Sequence, residues 1–146
     1  MKNRFAFTYP VAVAADPFVH RLDVRYLEVD QQGVVFNMWY LAYFDDAMAA
    51  FLAAGGLAYT DMMAAGYDVQ LVHSEVDWLG SLRFGDAADV AVRVKRLGTT
   101  SVTLGFEVRT GEKLVATGTT VYVVVATDGS GKREVPGIIR DALTVG

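Results

Sequence analysis

The chain contains no cysteine in its 146 residues. Disulfides, zinc–thiolate sites and thiol nucleophiles are excluded together, and the absence suits a reducing, cytoplasmic setting. Imidazole is nearly as scarce. His20 and His73 are the only 2 histidines, too few for a multi-histidine metal site, and neither a metal nor a cofactor is expected. Positive charge is in deficit, with 13 Lys and Arg against 17 Asp and Glu and a net charge of −4. A nucleic-acid binder carries a net basic footprint, so nucleic acid is not an expected partner. No apolar run approaches the ~20 residues of a membrane span.

Near the start, Lys2 and Arg4 precede a short apolar run over 5–13, followed by Ala14. The pattern has a faint likeness to a signal peptide. Thr8 and Pro10 interrupt the run, and residues 1–17 are read as an N-terminal arm of a single domain spanning 1–146. With 53% hydrophobic residues, the chain can build a core and bury roughly two-thirds of its unfolded surface.

The stretch 23–54 organises the rest. It opens as a strand, with Leu22, Val24 and Tyr26 on one face and Arg21, Asp23 and Arg25 on the other. It ends as a helix whose apolar stripe is Leu41, Phe44, Met48, Phe51 and Leu52. Gly55 and Gly56 stop that helix. A short helix is expected over 58–65 and a strand over 69–79, with Val72, Ser74, Val76 and Trp78 facing opposite to His73, Glu75 and Asp77. Three alternating runs follow: Val90 to Val94, Val102 to Val108, and 114–126. The end of the last is apolar on both faces, as in a central strand. A helical turn over 136–143 closes the chain. One long helix and five strands, the last three a meander, can bury the stripe only against a sheet face. The expected class is α+β, an antiparallel sheet wrapped around a long central helix.

Between strand and helix lies Asp30-Gln31-Gln32-Gly33-Val34-Val35-Phe36-Asn37. A carboxylate therefore occupies a turn ahead of a helix N-terminus, where unpaired N–H groups gather. Asp30 can equally serve the turn itself, since Asp is common there for local hydrogen bonding. Asn37 suits an N-cap. Glu28 reads as a solvated or turn-forming acid, and Asp46 as solvent-facing. His73, Glu75 and Asp77 read as an exposed or interfacial strand face rather than a catalytic dyad.

The residues Val24-Arg25-Tyr26, Glu28, Asp30, Gly33-Val34-Val35 and Tyr40 resemble the signature of the hotdog-fold acyl-CoA thioesterases. The nearest pattern is that of the branch containing hydroxybenzoyl-CoA thioesterase and the Tol-Pal-associated acyl-CoA thioesterases. The order of later elements fits over 18–143. The resemblance implies a hotdog fold and hydrolysis of an acyl-CoA or acyl-carrier thioester. Asp30 would act as nucleophile or as general base on water, and the backbone N–H at Asn37 would polarise the carbonyl. Better-known members carry Tyr or His at the Asn37 position. Gly33, Phe36 and Tyr40 are the candidates for the thioester and acyl end, with Met38 and Trp39 beside them. Lys95, Arg96, Thr100 and Ser101 are candidates for the nucleotide end. Here the charges precede the turn, and hydroxyls stand within it. The resemblance also implies a homodimer or homotetramer with joined sheets, and the valine-rich last strand is a surface needing cover. A non-catalytic hotdog module that binds thioesters or serves assembly is the alternative. A hotdog dehydratase would want a His where Asn37 stands.

Overall fold

The structure is a computed structural model that describes residues 17–144, so apart from Pro17 the expected N-terminal arm lies outside the described residues. In chain order the elements are β1 (Phe18–Asp23), a single 3-10 turn (Tyr26–Glu28), α1 (Trp39–Ala54), α2 (Tyr59–Ala64), β2 (Tyr67–Trp78), β3 (Ala87–Leu97), β4 (Ser101–Thr110), β5 (Lys113–Ala126) and α3 (Gly137–Thr144). The five strands form one antiparallel sheet in the order β1-β3-β4-β5-β2. With α1 across one face, this is the expected α+β hotdog arrangement. No helix of the described residues is long and apolar enough to cross a membrane.

The alanine-rich sequence of α1 favours helix along its length, and its apolar positions recur at helical spacing. Phe44, Phe51 and Leu52 are buried as expected, while Leu41 and Met48 are only partly so. The buried face is rotated towards Tyr40, Tyr43 and Ala47. Its contacts span the sheet. Phe51 stacks on Phe18 of β1 with centroids 5.4 Å apart, and Phe44 stacks on Phe106 of β4 at 4.5 Å. The Tyr122 hydroxyl of β5 donates to Asp45 Oδ1 at 2.6 Å. Beneath Phe44 lies Gly118, where a Cβ would fall 2.4 Å from the ring. The helix thus approaches β5 through a groove that only glycine leaves open.

Three expectations need correcting. The first strand does not run on to Tyr26. It ends at Asp23, the Val24 N–H turns inward to Asp86 O, and Tyr26 is 78% exposed. The cause is local: the Arg25 N–H donates to the Glu28 carboxylate, which folds the chain into the 3-10 turn. The faces of β2 also differ from a strict alternation. The register shifts between Leu71 and His73, so Val72 is an extra, bulged residue. Val69 and Leu71 therefore share a face with Ser74 and Val76, as an added residue reverses the phase of a strand. Finally, the valine-rich β5 is central, as its two apolar faces implied, and needs no outside cover, lying between β4 and β2. The long open edge is β2, where Val72 is 58% exposed and Leu71 and Trp78 are also accessible.

Candidate active site

Asp30 sits at the tip of a miniature hairpin. Val29 bridges Val35, the Gly33 N–H donates to Asp30 O at 2.9 Å, and the Asp30 N–H donates to Val34 O at 2.9 Å. Gly33 takes φ 77°, the left-handed conformation that closes such a three-residue loop with a bulge. The hairpin is docked on the segment before β3. The Val35 N–H donates to Leu82 O at 2.8 Å, and Val34 bridges Arg83. The Arg83 guanidinium comes within 3.7 Å of where a Cβ on Gly33 would stand, so the floor of the turn carries a cation.

The Asp30 carboxylate is half-buried, and its Oδ1 accepts the Gln32 N–H at 2.8 Å. The turn-forming reading of Asp30 is visible in that bond. One oxygen serves the turn; the other has no partner among the described residues.

The chain enters α1 through a turn rather than a capped start. The Trp39 N–H donates to Phe36 O at 3.0 Å and the Leu41 N–H to Met38 O at 3.1 Å. The N-cap position belongs to Met38, with helical angles and no side-chain cap bond. Asn37 is therefore not the cap; the coil has already begun one residue earlier, at Phe36. The N–H groups of Asn37 and Met38 donate to no acceptor among the described residues. They form a two-donor step at the positive end of a 16-residue helix, the arrangement that stabilises a developing oxyanion.

The remaining candidates divide. Phe36 is 46% exposed, near the still more open Met38. Tyr40, a substrate candidate by resemblance but a residue type more often core than contact at a helix start, is 1% exposed and belongs to the core. Its ring meets Tyr43 and Trp78 edge-on at 5.8 and 6.5 Å. Burial raises its phenol pKa, against a lowering hydrogen bond from the Leu82 backbone. Lys95, Arg96, Thr100 and Ser101 gather at the far end of β3. Lys95 stands at a register shift and donates to Thr119 Oγ1 at 2.9 Å; Arg96 is exposed. The Gly98 N–H donates to Ser101 O, Thr100 O accepts the Val124 N–H, and Arg140 Nη2 donates to Gly98 O. The 11-residue β3 separates this turn from the Asp30 hairpin by on the order of 30 Å. One chain does not bring the two ends together. His73 and Glu75 form an exposed pair, Nε2 to Oε1 at 3.0 Å, on the open edge.

The residue missed by sequence reasoning is Glu28. Far from being solvated, it is 3% exposed, and it accepts hydrogen bonds from Arg25 and from the Tyr43 hydroxyl. Burial pushes its pKa up, but the bonds from Arg25 and Tyr43 prevail and the carboxyl lies below its ordinary value. Tyr43 is raised, first by burial and then by that acid. The sequence held one signal, an acid three residues after Arg25 that can close a turn on the Arg25 N–H.

Comparison with known proteins points one way. A protein of Aquifex aeolicus named "Putative esterase" is 28% identical over 109 residues, covering 75% of this chain and 85% of that one. The crystal structure of a hypothetical protein from Thermus thermophilus matches at TM-score 0.81 and 31% identity, over 87% of this chain and 97% of the other. The dynemicin thioesterase matches at TM-score 0.81 and 25% identity, over 88% and 95%. The family model described as the Thioesterase-like superfamily matches residues 24–143. A hotdog sheet, a carboxylate hairpin and an amide-bearing helix start thus coincide with that match, and the chain belongs to the Thioesterase-like superfamily.

Proposed function

We propose that the protein hydrolyses an acyl-CoA or acyl-carrier thioester, with Asp30 as the reacting carboxylate. The observation that carries this reading is the split state of Asp30, one oxygen tied to Gln32 N–H and the other without a described partner. A carboxylate held this way is oriented without being consumed by its turn. The N–H groups of Asn37 and Met38 supply donors for the oxyanion, each worth about 10²–10³-fold in turnover. As nucleophile, the open oxygen attacks the thioester carbonyl, the thiolate leaves, and water opens the mixed anhydride. As general base, the same oxygen takes a proton from water that attacks directly. Within the superfamily, the Asp30–Val35 motif argues for the hydroxybenzoyl-CoA and Tol-Pal-associated branch. Phe36 and Met38 offer an apolar wall for the acyl group, and glycine at 33 keeps the turn open to a bulky ester.

A working site calls for a second copy. The nucleotide-end candidates Lys95, Arg96, Thr100 and Ser101 lie too far from Asp30 within one chain. Antiparallel pairing of β2 with its symmetry mate would join two sheets and cover Leu71 and Val72. The absence of cysteine supports a cytoplasmic setting.

The test is Asp30→Asn, assayed by thiol release from short, long and aromatic acyl-CoAs. Turnover should fall by about 10²–10⁴-fold or more while the melting temperature stays close to wild type. Single turnover in ¹⁸O-labelled water separates the two routes, because only the anhydride route can carry label into the Asp30 side chain. The turn bond favours a second reading, a non-catalytic module. Measurable binding of acyl-CoA with no hydrolysis of any would decide for it.

A further inference from the structure

Two residues upstream of Asp30 lies a buried carboxylate that the hydrolytic scheme leaves unused. Glu28 Oε1 accepts the Arg25 N–H at 2.9 Å and the Tyr43 hydroxyl at 2.8 Å. Glu28 Oε2 accepts Arg25 Nε at 2.9 Å and lies 2.9 Å from Arg25 Nη2. Its main-chain oxygen accepts the Phe36 N–H at 2.9 Å. One residue therefore ties together the 3-10 turn, the returning limb of the hairpin and the second turn of α1. The Arg25 guanidinium completes the clasp, 5.9 Å from the ring centroid of Trp39, the first residue of α1.

The Glu28 carboxylate is buried while the Arg25 side chain that pairs with it is 63% exposed, and such a half-exposed pair is an inefficient source of stability, because solvent screens the attraction and burial of the acid offsets part of it. What a fully engaged carboxylate adds is a single arrangement of its partners. That arrangement sets where the hairpin sits on the helix. Without it, the hairpin would be held by main-chain bonds (Val35 to Leu82, Phe36 to Glu28 and its own ladder), the Val34–Arg83 bridge and the buried Val35 side chain, none of which fixes it against α1 through a side chain of that helix.

We propose that Glu28, held by Arg25 and Tyr43, is a positioning residue that fixes the Asp30 hairpin against the start of α1, so that the open Asp30 oxygen and the Asn37 and Met38 amides address one carbonyl. The catalytic half of this inference rests on the thioesterase reading; the anchoring half does not.

Glu28→Gln keeps the shape and removes the charge, and Tyr43→Phe removes only the hydroxyl. Ile139→Val in α3, at a fully buried site remote from the hairpin, is the control that lowers melting temperature without touching the clasp. A misplacement of about 1 Å can cost ~10²-fold, so each clasp variant should lose about ten- to a hundredfold in kcat with KM within about twofold. Ile139→Val should keep the wild-type kcat. Deuterium exchange supplies a readout independent of activity. The Asp30 and Gly33 amides, bonded within the hairpin, should exchange about tenfold faster or more in Glu28→Gln, with β5 unchanged. Wild-type kcat in both clasp variants overturns the catalytic half, and unchanged exchange overturns the anchoring. Should Glu28→Gln not fold, Tyr43→Phe carries the same two measurements. A wild type that hydrolyses no thioester, together with faster exchange in the variant, leaves the anchoring standing and sinks the thioesterase reading instead.

Discussion

The Asn37 side chain has no hydrogen-bond partner among the described residues, while its main-chain N–H is a proposed oxyanion donor. The two functions separate cleanly by substitution. Because Met38 rather than Asn37 occupies the cap position, Asn37→Ala should spare the ~0.5–2 kcal/mol that loss of a true cap costs. Melting temperature and turnover should both stay near wild type. Asn37→Pro deletes the N–H and should lower turnover about 10²–10³-fold, with circular dichroism to verify folding, since proline also restricts Phe36. An inactive but well-folded alanine variant would instead assign the chemistry to the side chain. Glu28 yields a pH prediction. Its carboxyl is lowered from 4.5 in the folded chain, so its stabilising effect is present above that value and is lost as pH falls through the folded pKa. Melting temperature measured from pH 6 down to pH 2 should drop less steeply in Glu28→Gln than in wild type below about pH 4.5. At this scale, Asp30 was legible because turn and helix start are written in adjacent residues. Glu28 was not, because its burial depends on Tyr43, fifteen positions away on another element.

Among the elements, α1 was the most legible, since Phe44, Phe51 and Leu52 repeat at its own period. Its rotation towards Tyr43 and Ala47 was not, because it is set by what lies underneath. Gly118 is the clearest case. A methyl group there would fall 2.4 Å from Phe44 Cε2, and Phe44 is itself pinned on Phe106. Overpacking of this kind costs about 1–3 kcal/mol. Gly118→Ala should therefore lower the melting temperature by roughly 2–12 °C at about 2–4 °C per kcal/mol, as calorimetry can check. An unchanged melting temperature would mean that α1 can lift off β5 at little cost. In β2, the alternation over His73 to Trp78 was read correctly, but the bulge at Val72 is invisible in composition. One extra residue reverses the facing of Val69 and Leu71 without altering any pattern a short window can detect.

For the whole molecule, the meander of β3, β4 and β5 followed from three alternating runs joined by short turns. The central place of β5 followed from its two apolar faces, but which strands form the rims did not, because that depends on pairings between distant segments. The apolar character of β5 belongs to the middle of the sheet, and β2 presents the unpaired rim. Val72→Lys places a charge on that rim, a common natural block to edge pairing. Light scattering should find a dimer or tetramer for wild type and a smaller species for the variant. A variant that keeps the wild-type mass would move the interface away from β2.

The same strand order bears on synthesis. Among the described residues β1 pairs only with β3, and β2 only with β5, so both rims and the helix are complete by Trp78 and the centre of the sheet follows from Ala87 on. Phe18 of β1 is made before Phe51, but a nascent chain exposes Phe44 of α1 long before Phe106 and Gly118, which receive it, exist. Roughly seventy residues separate the end of α1 from the end of β5, about 4–14 s of translation at ~5–20 residues per second. During that interval the Asp30 hairpin has neither its helix packed nor its sheet built. The Asp30 turn acquires its full setting only once β5 has been made, and until then apolar surface destined for the core stays open to association.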